Sequence, residues 1–177
     1  TTEIYTLSLH DALPIFNLEA ETIEALAHEF SNFVVDKEAM PNVRQLVEIK
    51  RRLGDRLNLL CCDFPKYSIV LPTLACGGNG TANIGGNIIP EEMAKISRPW
   101  TSLAIMEECR AEYYKWYPLL DALYWFSNPI VIKSALRILG LPSGGMRRPY
   151  QELSGERLNK LKEIMTEMGV VAKYGQR

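Results

Sequence analysis

The sequence has few metal-binding side chains and almost no net charge. Its only histidines are His10 and His28, and its four cysteines, at positions 61, 62, 76 and 109, form no Cys-x-x-Cys motif. A zinc site is therefore not expected, and no metal or other cofactor is predicted. A formal net charge of -1 and a pI near 6.1 give no electrostatic attraction to nucleic acid or to an anionic membrane.

Long apolar runs are also absent. No stretch approaches the roughly 20 residues that a membrane-spanning helix needs, and Thr1 to Phe16 contain no Lys or Arg to form the basic region of a signal peptide. Because Cys61 and Cys62 are adjacent, a bridge between them is geometrically awkward, so reduced thiols in a cytoplasmic protein are expected. What remains is a chain of 177 residues, 47% hydrophobic and 23% charged, which is typical of a globular protein.

The first fifteen residues differ in origin from the rest. Thr1 to Ile15 resemble the in-frame translation of a short-read sequencing adapter at every position. We interpret residues 1–15 as a non-native segment and exclude them from the fold prediction, with a native strand and turn as the alternative.

Strand and helix patterns alternate after this segment. Helices are predicted at 19–30, 43–53 and 66–75, and strands at 32–37, 57–62 and 81–84. The residues predicted to share the buried face are Ile23, Leu26, Ala27 and Phe30 in the first helix, and Val43, Leu46, Val47 and Leu53 in the second. After Pro90 only helical patterns follow, at 102–126, 130–139 and 156–168. This order predicts an α/β fold with a parallel sheet and a helical carboxyl-terminal region.

Three parallel strands make a poor fold by themselves, because both edges and both faces of the sheet need cover. A complete (β/α)8 barrel takes about 250 residues. The predicted fold is therefore part of something larger.

Lys37 is the candidate catalytic residue, because it ends an apolar strand. In barrel enzymes the carboxyl ends of the strands carry the chemistry. A lysine amine that is held neutral in a dry pocket can attack a carbonyl carbon. The alternative is an ordinary solvated lysine at the end of a strand.

Four blocks of sequence resemble the dihydrodipicolinate synthase and N-acetylneuraminate lyase family. They are residues 32–39 (NFVVDKEA), 77–83 (GGNGTAN), 87–93 (NIIPEEM), and 127–133 with 139–142 (SNPIVIK and LGLP). The first resembles the strand of the family's Schiff-base lysine, and the second resembles the glycine turn before its last barrel strand. The third resembles the helix start that follows, and the last resembles the family's carboxyl-terminal helical extension.

The resemblance implies a partial TIM (β/α)8 barrel, strands six to eight, in residues 16–100, and a helical extension in residues 101–177. It also implies that Lys37 forms an imine with pyruvate or another 2-keto acid, and that the intact protein is a homo-oligomer. Ala82, Asn83 and Cys62 are the implied substrate-binding residues, Ala82 through its backbone carbonyl. The family's tyrosine proton shuttle and its threonine pair belong to earlier strands. We therefore expect the chain alone to be inactive.

The chain departs from the family pattern near these positions. Val35 and Asp36 stand where the family usually has a small residue and then an apolar one. Cys61-Cys62-Asp63 stands where many members have a serine and a glycine, and Asn83 replaces a commoner small residue. The implied reaction is that of a 4-hydroxy-tetrahydrodipicolinate synthase-like lyase, with an aldolase or dehydratase of 2-keto-3-deoxy sugar acids as the alternative. A non-catalytic metabolite-binding relative and an inert fragment are the alternatives of another class.

Deleting residues 1–15 tests the interpretation of that segment. We expect the free energy of unfolding to change by no more than about 0.5 kcal/mol, because a segment of foreign origin has no evolved packing partners. Denaturant unfolding of the chain with and without the segment measures the difference. A clearly larger loss on deletion would show that the segment packs on the fold.

Overall fold

The computed structural model describes residues 17–64 and 66–176. The predicted non-native segment lies outside the described residues. The chain divides into two compact units, one ending at Ala82 and the other beginning at Asn83. The division predicted between residues 100 and 101 stays a prediction.

The first unit is built on a three-stranded parallel sheet whose strands follow chain order. The strands are β1 (Val35–Glu38), β2 (Asn58–Cys62) and β3 (Gly80–Ala82). β1 begins later than predicted, because residues 31 and 32 form a turn. β3 ends before Asn83, which the prediction had placed in the strand. The α/β class and the parallel pairing are confirmed.

Two helices cover one face of this sheet, α1 (Ala20–Glu29) and α2 (Val43–Leu53). Together with β2 and the residue before it, they form a buried apolar cluster. Its members are Ala20, Ile23, Ala27, Leu46, Ile49, Leu53, Leu57 and Leu59. As predicted, α2 ends at Gly54, which adopts a φ of 51°.

Three of the residues predicted to be buried on these helices are exposed. Phe30 lies beyond the end of α1 in an extended conformation and is 47% exposed. Val43 and Val47 are 49% and 46% exposed. The buried face of α2 runs instead through Gln45, because the Gln45 amide has hydrogen-bonding partners in the interior.

α3 (Val70–Ala75) begins later than the sequence predicted. Lys66 and Tyr67 adopt left-handed backbone angles, with φ of 52° and 58°, and this interrupts a helix that would otherwise start there. Tyr67 is fully buried at this turn.

The glycine turn between α3 and β3 is held against β2. Asn79 brackets Leu59: its side-chain oxygen accepts from the Leu59 N–H at 2.9 Å, and its own N–H donates to the Leu59 carbonyl at 2.7 Å. Gly78 packs directly on Thr73, and no room is left for a side chain. The Gly-Gly-Asn-Gly sequence therefore fixes the start of β3 through close backbone contact.

The second unit is helical in its described residues. Its helices are α4 (Pro90–Ile96), α5 (Leu103–Ala122), α6 (Ile130–Ile138), α7 (Gly155–Glu167) and α8 (Val170–Tyr174). The sequence did not predict α8, which is too short to show a period. α8 is joined to α4 by the Glu92 carboxylate, which accepts hydrogen bonds from Lys173 and Tyr174. No helix in the described ranges is long and apolar enough to cross a membrane.

Gly78→Ala tests the close approach of the glycine turn to α3. The new Cβ would lie 2.5 Å from Thr73 Cγ2 and 2.7 Å from the Thr73 carbonyl oxygen. We expect a loss of roughly 1–3 kcal/mol in the free energy of unfolding. Gly145→Ala is the matched control, because a Cβ there meets no atom within 4 Å. Equal stability of the two variants would contradict this account of the turn.

Candidate functional site

Three of the four predicted site residues lie at the carboxyl ends of the three strands. Lys37 pairs with Leu60, and Cys62 pairs with Ala82, in the parallel register. Leu60 and Cys62 are two residues apart and so share one face of the sheet. The register therefore places Lys37, Cys62 and Ala82 on the same face, near the same edge.

This face is more open than the one under the helices. Val35, two residues before Lys37, is 45% exposed, whereas Leu59 and Cys61 on the opposite face are fully buried. The side chain of Lys37 is exposed as well. The amine is therefore accessible to a small molecule.

Cys62 is the buried neighbour of Lys37 on this face. Its thiol donates to Asp63 Oδ1 at 3.5 Å and accepts from the Phe64 N–H at 3.4 Å. Burial raises the pKa of the Cys62 thiol, and the Phe64 N–H and the positive charge of Lys37 act in the opposite direction. The thiol is therefore neutral near pH 7, and it presents a small polar surface beside the amine.

Asn83 follows Ala82 and belongs to the second unit. Its side-chain oxygen accepts from the Gly86 N–H at 2.9 Å. This bond joins Asn83 to the short 3-10 turn Gly85–Asn87 that follows it. The structure thus gives the Asn83 side chain a local role that the sequence did not predict.

Asp36 lies on the face opposite Lys37, as strand alternation predicted. Burial, with a smaller contribution from the nearby Glu38 charge, raises the pKa of Asp36 from 3.8 to about 6. Its Oδ2 atom is buried and accepts no hydrogen bond from any described residue. No basic side chain of these residues therefore pairs with Oδ2.

A polar network lies under β1, and the sequence pattern did not predict it. The buried Glu38 carboxylate accepts from the Met40 N–H at 2.7 Å and from the Gln45 side-chain amide. Gln45 also exchanges hydrogen bonds with the Asn17 side chain, at 2.9 and 3.1 Å. Only the apolar pattern of α2 was visible in the sequence, and a glutamine on a buried face is not predicted by a pattern of apolar residues.

A cavity of about 220 Å³ adjoins this network. The polar residues Asp36, Glu38 and Gln45 line this cavity, and Ile23 of α1 contributes an apolar side chain to its wall. Among residues 17–64 and 66–176 no group of three or more histidine, cysteine, aspartate or glutamate side chains could hold a metal ion.

Most of the sequence is similar to proteins of one known family. A sequence model of the dihydrodipicolinate synthetase family matches residues 9–168. The chain belongs to this family. The resemblance carried by the four sequence blocks is therefore confirmed. The matched range includes residues 9–15, which we interpret as part of the non-native segment, and that interpretation stays a prediction.

Relatives in the family are similar over most of this chain. The 4-hydroxy-tetrahydrodipicolinate synthase of Methanocaldococcus jannaschii is 32% identical over 155 residues, which cover 88% of this chain and 52% of that enzyme. The enzyme of the same name from Geotalea daltonii is 33% identical with the same coverage. A structure of dihydrodipicolinate synthase from Cyanidioschyzon merolae with lysine bound is 31% identical, with a TM-score of 0.79 over 88% of this chain and 51% of that one. The chain thus spans about half the length of the family members that it matches.

Asp36→Asn tests the buried carboxyl beside Lys37. Because the folded-state pKa is raised, the folded chain binds the proton more tightly than the unfolded chain. The wild-type stability should therefore fall as pH rises from about 4 to about 6, and should then level off. The asparagine variant lacks this loss. At pH 7 we expect it to be more stable by about 1–2 kcal/mol, less than the full shift implies because the side chain is partly exposed.

Denaturant unfolding at pH 4 and pH 7 measures this difference. Asp55→Asn, at a fully exposed side chain, is the control, and its stability relative to the wild type should be nearly the same at the two pH values. If Asp36→Asn and the wild type have the same free energy of unfolding at both pH values, the proposed burial of the Asp36 charge is wrong.

Proposed function

We propose that this chain is the carboxyl-terminal half of a (β/α)8-barrel lyase in which Lys37 forms an imine with pyruvate or another 2-keto acid. The observation that carries the proposal is the position of Lys37. It stands at the carboxyl end of an outer strand of a parallel sheet, on the open face, in a chain that belongs to the dihydrodipicolinate synthetase family. Barrel enzymes hold their reactive groups at this end of their strands.

In this proposal β1, β2 and β3 correspond to barrel strands six, seven and eight. Their chain-order parallel pairing supports the correspondence. So does coverage, because 88% of the chain aligns with 52% of its relatives. The helices of the second unit then belong to the closing part of the barrel and to the family's helical extension.

The chemistry follows from the amine. The nitrogen lone pair of the Lys37 amine adds to the keto carbon of the substrate, and loss of water leaves a protonated imine. The imine withdraws electrons from the neighbouring carbon, so a carbon–carbon bond at that carbon can form or break. Hydrolysis of the imine releases the product and regenerates the amine. No metal is needed for any of these steps.

The other site residues shape the pocket around the imine. We infer that Ala82 presents its backbone carbonyl to the substrate, which its place at the end of β3 supports. Cys62 contributes a neutral thiol to the same face. Asn83, which directly follows Ala82 in the chain, acts through its backbone, since its side-chain oxygen already accepts from the Gly86 N–H.

The names of the relatives favour condensation of pyruvate with an aldehyde, as in 4-hydroxy-tetrahydrodipicolinate synthesis. The residues around Lys37 favour a second candidate, an aldolase or dehydratase acting on 2-keto-3-deoxy sugar acids. Cys61-Cys62-Asp63 stands where many family members have a serine and a glycine, and Cys62 lies on the same face of the sheet as Lys37. A polar environment beside the imine suits a hydroxylated substrate.

The chain alone is proposed to be inactive. The tyrosine proton shuttle and the threonine pair that the family resemblance implies come from earlier strands, so the imine would have no positioned acid or base. The open face supports this view, because Val35 remains 45% exposed where a closed barrel would cover it.

We also infer that the intact protein is a cytoplasmic homo-oligomer. All four cysteines are free thiols, which suits a reducing compartment. Exposed large side chains such as Leu103 (66%) and Tyr114 (65%) offer apolar surface for contacts between subunits.

Reductive trapping tests the role of Lys37. The full-length protein that contains this chain is incubated with pyruvate and reduced with borohydride, and the adduct is located by peptide mass. We expect a single adduct, on Lys37. Lys37→Arg should abolish both adduct and turnover, because a guanidinium stays charged and is not a usable nucleophile. Lys115→Arg, on an exposed face of α5, is the control and should retain both. An adduct on another lysine, or none, would overturn the assignment.

A further inference from the structure

In the part of the chain that the structure describes, the strand that carries Lys37 pairs with another strand on one side only. β1 pairs with β2 on one side, where Lys37 lies opposite Leu60, and no described strand pairs with its other side. The backbone hydrogen bonds of the sheet therefore fix Lys37 from one direction only. An edge strand held in this way opens more readily than a central one.

Glu38, the residue after Lys37, restrains the end of β1 from the helix side through hydrogen bonds. Glu38 is 5% exposed, and its carboxylate is held at both oxygens: Oε1 accepts from the Met40 N–H at 2.7 Å, and Oε2 accepts from the Gln45 side-chain amide. The first bond closes the turn that leaves β1. The second ties the end of β1 to α2.

Gln45 carries this restraint onward to the start of α1. It is 5% exposed, and the two hydrogens of its Nε2 are shared among Glu38, the Leu18 carbonyl at 3.1 Å and Asn17 Oδ1 at 3.1 Å. Its Oε1 accepts from Asn17 Nδ2 at 2.9 Å. Gln45 in α2 therefore joins the end of the candidate catalytic strand to residues 17–18, which lie more than 25 positions earlier in the sequence.

Glu38 does not face the substrate side of the sheet. Neighbouring residues in a strand point to opposite faces, so its carboxylate is turned toward α2 while the Lys37 amine is on the open face. Among the described residues, the Glu38 carboxylate accepts hydrogen bonds from two neutral donors, the Met40 N–H and the Gln45 amide, and from no cation. A buried carboxylate held by neutral donors is stable only while those hydrogen bonds persist.

We propose that Glu38 is a positioning residue for Lys37, acting through the Glu38–Gln45–Asn17 network to hold the end of β1 against the helices. The importance of this role for catalysis rests on the imine function proposed for Lys37. The restraint itself is a property of this chain and can be measured without any substrate.

The experiment measures how fast a small acylating reagent, acetic anhydride, modifies Lys37, with Lys115 as the internal reference. In Glu38→Gln an amide replaces the acceptor that faces the Gln45 amide. The network is then weakened, and we expect Lys37 to be modified faster by about threefold or more. Gln45→Met, which keeps the length of the side chain without its donors, should act in the same direction.

Two controls separate positioning from a general loss of stability. Ile49→Val shortens a fully buried side chain of α2 outside the network and should lower the free energy of unfolding by about 0.5–1.5 kcal/mol without changing the relative rate at Lys37. The exchanged pair Glu38→Gln with Gln45→Glu restores one carboxylate and one amide at the two positions. It should recover much of the wild-type rate, although the bond to the Leu18 carbonyl is lost.

Unchanged Lys37 modification in Glu38→Gln, or an equal increase in Ile49→Val, would overturn the proposal. If Glu38→Gln does not fold, the Gln45→Met variant decides by the same criterion. The modification rates, and separately borohydride trapping with pyruvate, are measured on the full-length protein that contains this chain and on the same variants of it. A wild type that forms no adduct, with rates at Lys37 that still depend on Glu38, would refute the imine function and leave the positioning role intact. An adduct on Lys37, together with modification rates that do not depend on Glu38, would support the imine function and refute the positioning role.

Discussion

The parallel register of three short strands is the constraint on which the rest of the structure depends. Because β1, β2 and β3 run in the same direction in chain order, their carboxyl ends meet at one edge of the sheet. Lys37 and Cys62 are more than twenty positions apart in sequence, yet this register places them on the same face of the sheet. The glycine turn and Asn79 hold β3 in this register through contacts with Thr73 and Leu59.

Strand alternation then separates two kinds of chemistry along β1. Asp36 and Glu38 are turned toward the helices, and Lys37 is turned toward the open face. The two acids differ in their surroundings: Glu38 is held by donors at both oxygens, whereas Asp36 has a buried oxygen with no described partner and a raised pKa. The helix side is therefore ordered by hydrogen bonds, and the amine remains accessible on the other side.

Membership of the dihydrodipicolinate synthetase family gives these features a context. The chain corresponds to about half of its relatives, and the sheet it contains has an open face and open edges among its described residues. Val35 on that face is half exposed, which leaves unrealised roughly half of the 1.5–3 kcal/mol that full burial of a large apolar side chain contributes. This is a physical reason why a larger assembly would complete the fold.

The sequence by itself determined the family, the α/β class, the order of the strands, the position of Lys37 at a strand end and the helix stop at Gly54. Each is encoded locally, by hydrophobic period, by glycine or by a contiguous motif. The tertiary structure alone decided which side of α2 is buried, where α3 begins, and how Asn83 is used. Val43 and Val47 have the apolar character of core residues, yet Gln45 is buried with Leu46 because its amide meets Glu38, Asn17 and Leu18. Such a preference depends on partners brought together by folding, and no local pattern encodes it.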